Sequence, residues 1–213
     1  MTLYNKFNAV IQSFGMQDLA HPLFYNSKVA IRFNIGDNGI QRYLEKDKQN
    51  AVVNPKYITA CLDRVKQIYN SLSAPPDILV IDGFLDERET IEDFINNITS
   101  STNLIQPKEI KSKTFFEEDD ELTHVFLLWE LNELNPDKLL REIISADLGG
   151  NYRLVSSVYF VCSCDKVLFH LYDDRGADLC SEKTSSIIHI YKGLNNLILD
   201  YDKKRIEAIF KAE

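Results

Sequence analysis

Three apolar stretches, SSVYFVC, VLFHLY and ADLC, lie within residues 156–180 and are separated only by short turns at 164–166 and 173–176. Connections that short join antiparallel neighbours, because a parallel pair needs a crossover of a dozen residues or more. A C-terminal antiparallel meander is therefore the fixed point around which the rest of the chain must arrange itself. Its second turn, Asp-Asp-Arg-Gly, has sound turn chemistry: aspartates bond nearby backbone N–H groups and glycine tolerates a positive φ.

Other elements declare themselves by period. Val29, Ile31, Phe33 and Ile35 alternate with Ala30, Arg32 and Asn34, which predicts a half-buried strand. DILVIDGF predicts a short interior strand, and HVFLLWELN one covered on both faces. Tyr4, Phe7, Val10, Ile11 and Phe14 share one face of an N-terminal helix over residues 1–20. Asn54 and Pro55 open a second helix bearing Ile58, Cys61, Leu62, Val65, Ile68, Tyr69 and Leu72, stopped by Pro75 and Pro76. Asp86 and Glu89 form a capping-box pattern that predicts a helix from about residue 87. Asn135 and Pro136 open another, ended by Gly149 and Gly150, and residues 184–197 read as helical. Asp202 is placed to cap a last helix with Ile206, Ile209 and Phe210 on its apolar face. Residues 100–121 lose all period and predict a long polar loop. With no strict βαβ rhythm, the expectation is a single compact α+β domain over residues 1–213. It has a mixed sheet with helices packed on it, and residues 151–213 supply the meander and the closing helices.

Composition narrows the classes of function. The chain has 213 residues, 45% of them hydrophobic and 26% charged, which suits a globular domain. No apolar run approaches the roughly 20 residues that cross a bilayer. The first helix lacks the pattern of a signal peptide, so no membrane role and a cytoplasmic location are expected. Cys61, Cys162, Cys164 and Cys180 sit in apolar segments without a secreted-type framework, as reduced thiols would. The net charge of −8 divides as −2 over residues 1–106 and −6 over residues 107–213. An acidic surface disfavours nucleic acid, whose binding rests on neutralising phosphates. The same field favours encounter with a basic protein.

Candidate chemistry gathers in the meander. His170 shares a strand face with Leu168 and Tyr172, and Asp173, Asp174 and Arg175 form the next turn. A histidine near two carboxylates can act as a general base or ligate a metal. The competing reading is structural: Arg175 pairs with Asp200 or Asp202 and fastens the last helix to the meander. Asp200 and Asp202, at i and i+2 beside a helix start, do not converge on one substrate. Cys162, Cys164, Cys180 and His189 make a poor zinc set, because Cys-x-Cys is not zinc-knuckle spacing. No cofactor and no metal is expected. Phosphate loop, nucleophile elbow and zinc-protease motifs are all missing.

HLYDDRGADL, LILDYDKKRIEAIF and HPLFYNSKVAIRFNIG together resemble the bacterial family known as domain of unknown function 3885. The resemblance runs from His21 to Phe210. Leu197 stands where the pattern has Trp and Lys203 where it has Arg, which argues against a residue-strict catalytic role for that segment. The resemblance implies a place beside secreted polymorphic toxins, as an immunity protein that covers the toxin domain. The family motifs would then be scaffold.

Two functions are thus expected to compete. The first is a non-catalytic protein-binding protein that neutralises a basic toxin domain through Glu117, Glu118, Asp119, Asp120 and Glu121. The second is a hydrolase-like enzyme or small-molecule binder that uses His170, Asp173, Asp174, Arg175 and Asp202.

Overall fold

The computed structural model describes residues 1–36, 39–44, 51–117, 120–131 and 136–211. Its strands are β1 (Val29–Asn34), β2 (Ile78–Phe84), β3 (Glu109–Glu117), β4 (Asp120–Glu130), β5 (Val158–Cys162), β6 (Val167–Leu171) and β7 (Gly176–Ser181). All seven form one sheet in the order β1-β7-β6-β5-β2-β4-β3. The helices are α1 (Leu3–Ser13), α2 (Leu23–Asn26), α3 (Pro55–Asn70), α4 (Ile91–Ser101), α5 (Asp137–Ser145), α6 (Thr184–Gly193) and α7 (Lys203–Lys211). The expected α+β class is the one observed, as is the meander β5-β6-β7.

The sheet is antiparallel at every described pair, not mixed. Strands β1 and β2 do run in the same direction, but the meander is inserted between them, so they never touch. Because β5, β6 and β7 are interior to the sheet and covered on both faces, every residue in them is buried.

One face of the sheet receives α1 and the α2 segment. Phe7 meets Phe126 and Tyr159 there, with ring centroids 6.3 and 6.2 Å apart. The other face receives α3, whose Tyr69 packs edge-on against Phe160 at 5.3 Å, and α4, whose Phe94 lies over Gly83. A Cβ on Gly83 would sit 2.9 Å from the Phe94 ring, so only glycine admits this approach. Each large apolar side chain buried in this way contributes about 1.5–3 kcal/mol. Helix α3 begins as its sequence predicts, with the Asn54 side chain accepting from the Lys56 N–H and Pro55 in the first turn.

Several boundaries differ from expectation: α1 ends at Ser13 rather than near residue 20, and α6 at Gly193 rather than 197. Helix α4 starts at Ile91, because Thr90 and Asp93 form the reciprocal capping box. Asp86 and Glu89 close a preceding turn instead, the Asp86 N–H donating to Glu89 Oε2 at 2.9 Å. Residues 100–121 are not one loop: their second half is β3 and the start of β4. An edge strand exposed on both sides carries no alternation for sequence to reveal, and its pairing with β4 alone defines it. The predicted cap Asn135 lies outside the described residues. Among the described residues no helix is long and apolar enough to cross a membrane.

Candidate functional site

Antiparallel register lines up one polar residue per strand across the α1 face. Tyr159 on β5 lies opposite His170 on β6, His170 opposite Asp178 on β7, and Asp178 opposite Arg32 on β1. Four adjacent strands thus build a row of side chains from segments far apart in sequence.

The Arg32 end of the row is closed. Arg32 grips Asp178 in a fork, Nε to Oδ1 at 2.9 Å and Nη2 to Oδ2 at 3.2 Å. The Tyr172 hydroxyl donates to Asp178 as well, and the Phe24 N–H donates to its Oδ2 at 3.0 Å. Burial by itself would lower the Arg32 guanidinium, but Asp178 and Tyr172 outweigh it and hold the group above its usual range. The guanidinium carbon lies 4.8 Å from the ring centres of both Phe24 and Tyr25.

The middle of the row is less well satisfied. His170 is 2% exposed and stacks on Tyr159 with centroids 4.5 Å apart; neither ring nitrogen makes a well-aligned hydrogen bond, and only the Ser156 backbone lies near enough to favour the charged ring. Burial, and then the nearby His21 ring, lower its pKa to about 3. His21 itself precedes a cis Pro22, and its Nε2 is hydrogen-bonded to the Tyr159 hydroxyl at 2.8 Å. His170 forms part of the wall of a cleft of about 590 Å³, which the α2 segment, the β1–β7 edge and the turn at residues 173–176 enclose.

The candidates read from sequence divide around this cleft. His170, Asp173 and Arg175 line it; Asp174 and Asp202 do not. Asp173 accepts the Arg175 N–H at 2.7 Å and its Nε at 2.8 Å, with a further contact from Nη2. Arg175 therefore belongs to Asp173, and at 3.7 Å to Asp147, rather than to Asp200 or Asp202. Asp174 turns inward, where the Tyr57 hydroxyl donates to it at 2.5 Å and Arg42 Nη2 at 2.9 Å. Its carboxyl is raised by burial against the pull of those two partners. Asp202 sits in a 3-10 turn before α7, accepting from the Tyr25 hydroxyl at 2.8 Å, and Arg32 approaches it at 3.7 Å. The fastening of the C-terminal segment is thus carried by Arg32, from the first strand.

Asp147, Asp173 and Asp174 bring carboxylate oxygens within 4.8 Å of one another, the one such grouping among the described residues. Arg42 and Arg175 already offset two of its three charges. The four cysteines are free, and they do not converge with His189, which lies 3.0 Å from the Ser71 carbonyl.

The acidic residues lie at the opposite end of the sheet. β3 and β4 pair as far as Glu117 and Asp120, whereas β2 accompanies β4 only to the pair Phe84–His124. The rungs from Phe115 onward therefore form a two-stranded arm, with Phe116 74% exposed. Glu118 and Asp119 lie outside the described residues. Glu117, Asp120 and Glu121 are placed by their backbone at the end of the arm.

A family model described as Domain of unknown function (DUF3885) matches residues 7–202. The chain belongs to this family. No curated protein and no solved structure matches it. The DUF3885 match spans the whole polar row, and also the turn of Asp202. In this DUF3885 chain Arg32 and Asp178 were not singled out as a pair by sequence. The available signal was that each is a lone charge inside an apolar strand, VAIRFN and GADLCS.

Proposed function

We propose that this is a non-catalytic protein-binding protein that meets a basic partner through the β3–β4 arm. In its finer form, the partner is a toxin domain and this chain the immunity protein that covers it. The observation that carries the reading is the projecting arm. A two-stranded ribbon is marginally stable alone in water, yet this one holds out an exposed Phe116 next in sequence to the acidic run at residues 117–121. A basic surface would bury the ring and match the charges, which speeds association and sets its salt dependence.

The candidate catalytic groups support a non-catalytic reading. Asp173, Asp174 and Asp202 are each held by internal donors. With its pKa lowered to about 3, His170 is poorly matched to proton abstraction near neutral pH.

The test is affinity capture with the whole chain, comparing wild type with a variant in which Glu117, Glu118, Asp119 and Asp120 are changed to Lys. Matched circular dichroism would establish that both are folded. A basic protein captured one-to-one by wild type, and lost with the reversed arm or at high salt, is expected. Capture of the same partner by both forms would remove the arm from the interface.

A further inference from the structure

Among the described residues, one edge of the sheet is covered and the other is bare. Along β1 the Leu199 N–H donates to the Arg32 carbonyl at 2.9 Å, and Ile198 bridges to Phe33. No described segment lies along the outer side of β3. The ladder shows which backbone groups this leaves open. The Leu85 N–H donates to the Thr123 carbonyl at 3.0 Å, so Thr123 turns its backbone groups toward β2. Alternation along an antiparallel strand then turns His124 and Phe126 toward β3, where they meet Lys113 and Lys111. The intervening residues Ile110, Ser112, Thr114 and Phe116 point their N–H and C=O groups outward, and no described residue bonds them. The register with β4 runs from Glu109 to Glu117 without a bulge, so nothing in the strand bends this row away from a neighbour.

We propose that this edge is an interface between two copies of the chain, joined antiparallel through β3 about Thr114. Charge selects that centre. Lys111 and Lys113 are exposed and make no ion pair with any described residue. A two-fold axis at Ser112 would set Lys111 against Lys113, and one at Lys113 would set that lysine against itself. With the axis at Thr114, Lys111 faces Glu117 on two symmetry-related rungs and Lys113 faces Phe115. These are the rungs without hydrogen bonds, where opposed side chains come closest. A centre at Phe115 also opposes unlike charges, but it keeps only residues 113–117 paired, against 111–117 at Thr114. The contact gives the arm a third strand, which a lone ribbon needs for stability. It is the same surface on both copies, so it closes at two, and the covered edge of β1 stops further growth. The inference concerns the edge of β3 rather than the acidic turn, and stands whether or not that turn meets a basic partner.

Sedimentation velocity on the purified whole chain, from micromolar to millimolar concentration, tests it. A monomer–dimer equilibrium is expected. Lys111→Glu sets like charges against Glu117 on both rungs, and Glu117→Lys does the same against Lys111. Each variant should therefore dimerise roughly tenfold more weakly or worse. An equimolar mixture of the two opposes unlike charges on both rungs and should recover the wild-type association. Thr114→Pro removes an outward N–H and no bond to β4, and should give a monomer whose circular dichroism matches wild type. A wild-type monomer at millimolar concentration would overturn the interface. A dimer that survives Lys111→Glu, or a mixture that fails to restore it, would overturn the register. A dimer that survives in folded Thr114→Pro would overturn the edge as its seat. If the proline variant fails to fold, the charge mixture decides without it.

Discussion

At the scale of single residues, the polar row has two neighbouring positions with opposite energetics. Asp178 has every bond it needs, and its partner Arg32 is held mainly by it. Asp178→Asn would leave the guanidinium largely uncompensated among aromatic rings, and breaking a pair of this kind costs about 3–5 kcal/mol. Urea unfolding at neutral pH should show that loss; a change below about 1 kcal/mol would mean that Arg32 finds other partners. His170 is the reverse case. His170→Phe removes a buried imidazole that makes no well-aligned hydrogen bond from a site that already stacks an aromatic ring, and should stabilise the protein by about 1 kcal/mol. A loss of similar size would show that the nitrogens are satisfied in solution. The histidine also predicts an acid sensitivity. Its folded pKa of about 3 lies below the ordinary 6.5, so between those values the unfolded chain binds more protons than the folded one. Its contribution is therefore present above pH 6.5 and is lost as pH falls toward 3. The drop in unfolding midpoint through that window should be visibly smaller in His170→Phe than in wild type.

At the scale of elements, packing places strict demands at some joints and few at others. Gly83 admits the Phe94 ring of α4 onto the sheet. Gly83→Ala should lift that helix and cost about 1–3 kcal/mol, the usual range for overpacking. A thermal midpoint equal to wild type would show that Phe94 can rotate away without cost. The arm behaves differently. Phe116 is 74% exposed, so Phe116→Ser should leave stability within about 0.5 kcal/mol while weakening capture of the partner. A strongly destabilised variant would mean that the ring is packed in the protein by itself. This contrast between a strictly packed joint and an energetically idle ring is what an interaction element projecting from a scaffold requires. The starts of α3 and α4 were legible to different degrees for a local reason. Asn54-Pro55 is an unambiguous opening. The two candidate capping pairs Asp86–Glu89 and Thr90–Asp93 compete in sequence, and only the second closes as a capping box.

At the scale of the whole molecule, the C-terminal segment completes the sheet edge. Phe33 on β1 forms a bridge to Ile198, and the Leu199 N–H donates to the Arg32 carbonyl at 2.9 Å. Beyond it, Phe210 of α7 stacks on Tyr191 of α6 at 4.4 Å. Ending the chain at Gly193 would bare the outer edge of β1 and remove this cover, and exposed edges template association. Light scattering should find the shortened chain aggregated; a stable monomer would show that β1 needs no cover. The sequence by itself determined what depends on neighbours along the chain. Tight turns made β5, β6 and β7 an antiparallel meander, helical period chose the buried faces of α1 and α3, and DDRG chose a turn in which Asp173 bonds the Arg175 N–H. The tertiary structure decided everything that depends on which distant strands meet. The insertion of the meander between β1 and β2 made the sheet wholly antiparallel, and pairing with β4 turned an unpatterned stretch into β3. Register placed Arg32, 146 positions from Asp178 in the chain, on the same rung. Local propensity carries no information about that rung, because it exists only once four strands have fixed their register through hydrogen bonds between segments remote in sequence.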